Sequence, residues 1–357
     1  MTSYKLAAAC VAACLTIGIR ANDNFATVST VASTIPENGD LNPYGVAVVP
    51  ESTGRLSRGN ILVSNFNNSS NQQGTGSTIV QISPQGTVSL FAQISAGHLP
   101  GSCPGGIGLT TALVALRTGW VIVGSLPTTN GQAATAQAGC LIVLNSTGQV
   151  VETISNSSIN GPWDMTAQDN GNLVELFVSN VLNGTVAAGG NVVNTATVLR
   201  IDLTVSRTSP PQVASMTVVG SGFPARTDPA ALVIGPTGLA LSFGGVLYVA
   251  DTLNNRIASI PNALFRGNSA GTGVTVTEGH GLNGPLGLAV GFFDVIATVN
   301  GNDGFLVFTL PFGDQFFKKQ LDNSGSPPGA GALFGLAFAD TGLYFVDDAT
   351  NTLNVLH

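Results

Sequence analysis

The chain has 357 residues and a formal net charge of −7, with charged residues making up only 9 % and glycines numbering 45. After the N-terminal stretch the only lysines are Lys318 and Lys319, so there is no basic stripe to neutralise a phosphate backbone, and nucleic acid is excluded as a partner. Past the N-terminus no apolar run reaches the roughly 20 residues of a membrane-crossing helix, so no integral membrane segment is expected.

Residues 1–21 read as a secretory signal. Lys5 gives a positive start, Leu6 to Ile19 is apolar and rich in small residues, and Ala21 suits cleavage before Asn22. Val11-Ala12-Ala13-Cys14 offers an alternative, lipoprotein processing at Cys14, although the apolar character runs on past it. Either way the chain is expected to be exported, periplasmic or secreted, with residues 22–357 forming one domain. A β-strand is predicted over 25–34, and it has the same look as a later segment, 87–94.

From there one phrase returns six times at a spacing near 50–60 residues, which marks a repeat architecture. Its openings are Asn42-Pro43-Tyr44-Gly45, Cys103-Pro104-Gly105-Gly106, Gly161-Pro162-Trp163-Asp164, Gly235-Pro236-Thr237-Gly238, Gly284-Pro285-Leu286-Gly287 and Ala332-Leu333-Phe334-Gly335. Each opens a short strand. Second strands are predicted over 59–65, 119–125, 172–180, 245–251, 294–300 and 342–348, and third strands over 77–84, 140–146, 197–203, 256–262, 305–311 and 352–357. Fourth strands follow over 87–94, 149–154, 212–219, 273–278 and 316–321. The sixth repeat ends after three strands, so the strand at 25–34 is expected to complete it. The predicted fold is all-β: a six-bladed propeller of four-stranded blades, closed by its own N-terminus, which removes exposed strand edges.

In such a ring the first strand of each blade starts on one rim, here called the top, where the second strand also ends. The loops joining second to third strands lie on this rim. They are long and polar in the first three repeats (66–76, 126–139 and 181–196) and short later, as at 252–255. Cys103 and Cys140, the two cysteines of the exported chain, both map to the top of the second blade, where a disulfide is expected.

Gly235-Pro236-Thr237-Gly238-Leu239-Ala240, followed by Leu247-Tyr248-Val249-Ala250-Asp251-Thr252-Leu253-Asn254-Asn255-Arg256-Ile257, resembles the NHL-repeat β-propellers. More loosely, the chain is similar to the six-bladed group that includes the gluconolactonase/SMP-30-like proteins. That resemblance implies the propeller fold and a metal at the channel mouth in the enzymatic relatives. Those relatives carry a metal-binding Glu in an E-x-P-x-W-like opening of the first repeat, and here that opening is Leu41-Asn42-Pro43-Tyr44. No H-E-x-x-H occurs.

Candidate site residues gather on the predicted top rim. Asn65, Asn180, Asp251, Asn300 and Asp347 end second strands. Such residues bond their own turns, or they ring the channel mouth as oxygen ligands for a hard cation such as Ca²⁺. Asp164 stands where other repeats have Gly, which places a carboxylate near the axis, and Trp163 before it offers a stacking surface. Asp164, Asp251 and Asp347 are the candidate metal ligands. His98 and His280, the latter near Glu278, lie in loops entering opposite repeats. The leading expectation is a monomeric binding scaffold that takes a small molecule, glycan or protein on its top face. The alternative is a metal-dependent hydrolase or lyase, lactonase-like, with its site at the channel mouth.

Overall fold

A computed structural model describes residues 27–357, so the expected signal segment, Cys14 and the start of the 25–34 strand lie outside the described residues. The rest is six antiparallel sheets arranged around one axis. The innermost strands are Leu41–Val48, Leu109–Ala115, Pro162–Asp169, Pro236–Leu241, Pro285–Val290 and Leu333–Ala339. Helix is confined to four short 3₁₀ turns among the described residues.

Closure follows the sequence expectation. Val28–Ser33 pairs antiparallel with Thr352–Leu356, Val28 lying opposite Leu356 and Ser33 opposite Thr352. The N-terminal strand thus supplies the outer edge of the sixth blade. Its backbone groups pair with the other end of the chain, which ties the termini together.

The inner strands share a device that positions the central channel. In each, the register with the second strand slips near the start: between Pro43 and Gly45, Leu109 and Leu113, Pro162 and Met165, Pro236 and Leu239, Pro285 and Leu288, and Leu333 and Leu336. A bulge re-aims the side chains beside it. It also leaves inner-strand carbonyls without a ladder partner, and hydroxyls from the preceding blade supply one. Ser64 donates to the Thr110 carbonyl at 2.7 Å, Thr110 to Pro162 at 2.9 Å, and Thr252 to Pro285 at 2.6 Å. Blades are therefore joined by hydrogen bonds near the axis and by apolar faces further out, as where Trp120, Ile122 and Leu141 of blade two meet Leu176, Val178 and Ile201 of blade three.

Neighbouring blades approach so closely at the bulge that a side chain rarely fits. A Cβ on Gly238 would sit 2.1 Å from the Leu286 carbonyl oxygen, and one on Gly335 would sit 2.2 Å from that of Tyr44. The repeated Gly therefore answers to backbone from the next blade.

Two expectations need correction. In blade two the first strand does not start at the Cys103-Pro104-Gly105-Gly106 phrase. Leu109 is the residue opposite Ser125, so Thr111 occupies the position assigned to Gly106, and the Cys-Pro-Gly-Gly phrase belongs to the entry loop. In blade three the loop at 181–196 is not all loop. The third strand runs Val193–Thr204 and the fourth runs Gln212–Asp228, with a short addition at Leu232–Ile234. Alternating Val, Thr, Ala and Phe let these segments zip into a ribbon that rises past the blade.

Candidate functional site

The top of the channel is closed by aromatic rings. Tyr44 stacks on Phe66 with centroids 4.3 Å apart and on Phe334 at 3.8 Å, while Trp163 meets Tyr44 and Phe66 edge-on at 5.9 and 5.7 Å. All four are buried, and Leu126, Val181, Leu232 and Val233 pack around them. Tyr44, Trp163 and Phe334 occupy the same repeat position, the residue after the strand-opening Pro or Leu, so the bulge in each blade delivers them to one place. The long top loops bring the remaining apolar residues. Loop packs on loop, as Thr128 donates to the Gln73 carbonyl at 2.6 Å and Gln73 to that of Pro229 at 3.0 Å. The loops are polar where they meet solvent and apolar where they meet the rings. A disulfide joins Cys103 to Cys140 across a sequence separation of 37, and it fixes the base of the 126–139 loop.

Beneath this plug lies a cavity of about 400 Å³ running down the axis between all six inner strands. Exposure rises along the inner strands, from buried Pro162 and Trp163 to half-buried Thr166 through Asp169, and from buried Leu336 to half-buried Ala337 and Phe338. The cavity is therefore blind at the top and opens at the bottom. Its wall is built largely of Val, Leu and Ala, with Met165, Thr111, Thr166 and Thr237 among them.

Asp164 is the carboxyl in the upper wall, directly below Trp163. It occupies the position where Gly238 and Gly335 admit the next blade's backbone. Its Oδ2 accepts a hydrogen bond from the Leu239 amide at 2.7 Å, which bridges blade three to blade four. Thr111 does the same in blade two by donating to the Trp163 carbonyl. Among the described residues Asp164 forms no ion pair. Burial therefore dominates and pushes its pKa up to about 8, against the smaller lowering effect of hydrogen bonds from Leu239 and Met165. Near neutral pH the group is mostly a carboxylic acid, which can donate a proton as well as accept one.

The other rim residues do not converge on the axis. Asn65 donates to the Thr34 carbonyl and to Thr78 at 3.1 and 3.2 Å. Asn180 accepts from the Asn160 amide at 3.2 Å, and Asn300 donates to the Gly281 carbonyl and to Asp303, both at 2.9 Å. Asp251 is fully buried and paired with Arg256 at 2.8 Å. Asp347 accepts from the Thr350 amide at 3.2 Å, and its pKa is raised by burial. His98 and His280 are exposed in their loops, His280 with a left-handed backbone at φ 54°. Trp163 is 2 % exposed, and its ring is engaged in the plug.

Asp164, Asp251 and Asp347 thus sit in three blades with separate partners, and among the described residues no group of three or more His, Cys, Asp or Glu gathers as a metal site. Asn65, Asp251 and Asn300 each keep a buried oxygen without a partner. The bonds of their other side-chain atoms to Thr78, Arg256 and Asp303 draw them outward along their own blades. These side chains do not fit a shared cation at the channel mouth.

The sequence reading passed over two features. One is the plug, whose signal was the aromatic at one repeat position in three of six openings. The other is Asp348, whose pKa is pushed up to about 7 by burial and then by neighbouring Asp347.

No sequence-family profile matches the chain, and no curated protein matches it in sequence. Solved structures do share the fold. A gluconolactonase from Xanthomonas campestris is 12 % identical, with 95 % of this chain and 92 % of that one covered at a TM-score of 0.57. A calcium-binding regucalcin from Agrobacterium tumefaciens is 12 % identical, with 91 % and 93 % covered at 0.56. A PQQ-bound aldose sugar dehydrogenase from Streptomyces coelicolor is 14 % identical, with 93 % and 98 % covered at 0.53.

Proposed function

We propose that this propeller binds a small, uncharged molecule with an oxygen acceptor, of the lactone class, inside its central channel. Asp164, in its acid form, is the group that addresses that oxygen. The observation that carries this reading is the blind cavity of about 400 Å³, whose lining mixes aliphatic side chains with Thr111, Thr166 and Thr237, and a carboxyl without an ion-pair partner whose pKa is pushed up to about 8. Pockets of this size with a few placed polar groups suit small molecules, and a donor facing a carbonyl in an apolar site discriminates sharply against ligands that lack one. Structural neighbours named for lactones and sugars guide the choice of ligand class. The blade-four motif supports reading the repeats as NHL-type, and the disulfide suits a chain exported to an oxidising compartment.

Hydrolysis of such a ligand is the second reading. The raised pKa of Asp164 favours it, because an acid that exchanges its proton near neutrality can protonate a reacting oxygen.

Titration calorimetry with δ-decalactone and with D-glucono-1,5-lactone tests the binding claim. Asp164→Ala is expected to weaken binding about 5- to 10-fold, the value of one hydrogen bond, whereas Asp164→Asn keeps a donor and most of the affinity. Wild-type affinity should fall as pH rises through about 8, where the donor is lost. Absence of binding by either lactone, or affinity that is flat with pH and indifferent to Asp164→Ala, overturns the proposal.

A further inference from the structure

The channel wall is a set of strand edges. Each innermost strand stands at the end of its sheet, so one side of its backbone pairs with the second strand and the other side looks toward the axis. In an antiparallel pair the N–H and C=O of one residue point the same way, and the direction alternates along the strand. Hydrogen bonds at the lower ends of the inner strands fix that alternation. The amides of Val49, Leu116, Asn170, Ser242 and Gly291 donate outward to the carbonyls of Asn60, Trp120, Leu173, Val246 and Val295, at 2.9, 2.8, 2.9, 2.9 and 2.9 Å. The alternation then turns the backbone groups of Val46, Leu113, Met165, Leu239 and Leu288 into the channel. Leu336 holds the same register in blade six, opposite Phe345 as Leu239 is opposite Val249. All six residues line the cavity.

Asp164 confirms the direction. Its carboxyl accepts from the Leu239 amide at 2.7 Å and from the Met165 amide, two of the groups that the alternation aims inward. The carbonyls of Leu239 and Met165 face the channel beside it. The threonine side chains of the wall add little to this surface. Thr111 donates to the Trp163 carbonyl, and Thr237 bonds Thr252 and the Pro285 carbonyl, so these hydroxyls join blades. Hydrogen bonding toward a ligand therefore falls to Asp164 and to the backbone edges, which hold donors and acceptors side by side.

From this geometry we infer that the channel takes cyclic secondary amides, the lactam class, and holds them more tightly than lactones of the same ring. A small ring fixes the amide N–H and C=O on one edge, and that edge matches a carboxyl group set among strand carbonyls. The ring N–H donates to Asp164 or to the carbonyl of Met165 or Leu239, while the ring C=O accepts from Asp164 or from an inward amide. The proton on Asp164 does not decide the preference. A protonated carboxyl donates to the ring C=O and accepts from the ring N–H, and an ionised one still accepts from the N–H. A lactone brings acceptors alone, so the carbonyls beside Asp164 gain no partner from it, and an acceptor left without a donor in a closed site costs affinity. The inference rests on the reading that Asp164 addresses a small uncharged ring in this channel, and it extends the class of that ring.

Titration calorimetry near neutral pH with δ-valerolactam, δ-valerolactone and N-methyl-δ-valerolactam tests the inference. The rings are of equal size and differ in the N–H. The lactam should bind about 5- to 10-fold more tightly than either of the others, the value of one hydrogen bond. Asp164→Ala should remove most of that gap. Asp164→Asn, whose amide also pairs a donor with an acceptor, should keep it. Thermal melts check that the variants fold, and the comparison of ligands on the wild-type chain needs no variant. A lactone, or an N-methyl lactam, that binds as tightly as the lactam overturns the inference and leaves the channel reading standing. A gap that survives Asp164→Ala in a folded protein also overturns it. Binding of the lactam without the lactone supports it and removes lactones from the channel reading. Binding by none of the three overturns both.

Discussion

The two ends of the channel are made by the same six strands and behave oppositely. At the top, the bulge aims the residue after the strand-opening Pro or Leu toward the axis, and three blades place Tyr44, Trp163 and Phe334 there. With Phe66 they fill the lumen and exclude water. Below the bulge the pattern turns small in five blades of six: Ala47, Ala240, Ala289 and Ala337 share one position with Thr166, and Val114 fills it in blade two. The space the small residues leave is the cavity. One strand geometry thus yields a seal or an opening according to side-chain volume alone. Close-packed interiors respond to volume in this way. The consequence for Asp164 is direct, because it lies at the boundary, buried enough to hold a proton and open enough to meet a ligand.

The largest expected effect comes from breaking the seal. Trp163→Ala should destabilise by about 3–5 kcal/mol, as large-to-small changes at buried aromatic sites do. It should also let solvent reach the cavity from above, measurable as faster hydrogen exchange at the inner-strand amides. A melt indistinguishable from wild type would show that the rings are not packed as a unit.

Next in size is the strap over the seal. Cys103→Ser with Cys140→Ser releases a loop with a sequence separation of 37. It should cost about 3–4 kcal/mol in urea unfolding under the chain-entropy account. A non-reducing peptide map that finds both thiols free would remove the strap.

At the boundary, Asp164 should make stability depend on pH. Its folded pKa of about 8 lies above the unfolded value near 4. Between them the folded state holds a proton that the unfolded state has lost, so stability falls as pH rises from about 4 to about 8 and then levels. Asp164→Asn, which still accepts from Leu239, should flatten that slope. It should be more stable than wild type by on the order of 2 kcal/mol near pH 8, with the gap closing near pH 4. Parallel slopes in the two proteins would mean that the carboxylate is solvated.

The smallest effect is expected at the bottom rim. Phe292→Ser should change the melting free energy by less than about 0.5 kcal/mol, because the ring touches little in the free protein. A larger loss would mean that the ring supports the fold.

Much of this was legible in the sequence. The repeat phrase, the missing fourth strand of the last repeat and the matching strand near the N-terminus led to the closed ring. The cysteines, placed on one blade top, led to the bridge. Asp164 stood out because a carboxylate replaced the Gly of the phrase. What failed to read was direction. Asn65, Asp251, Asn300 and Asp347 end strands at the same height, which suggested a ligand ring, yet each is held by partners of its own, Thr34 and Thr78 for Asn65, Arg256 for Asp251, Asp303 for Asn300 and Thr350 for Asp347. The mouth was expected at the top, where the long loops are. Their Asn-, Gln- and Ser-rich composition concealed the few apolar residues that turn inward.

The sequence by itself determined the number of blades, their order, the closure by the first strand and the pairing of Cys103 with Cys140, because these follow from periodicity along the chain and from local turn chemistry. The tertiary structure decided which end of the channel is sealed, why Gly recurs at the inner-strand bulge and which aromatic rings meet in the plug. Each of these depends on how residues from different repeats meet across the axis or across a blade boundary, at separations of roughly 50–60 residues that no local pattern encodes.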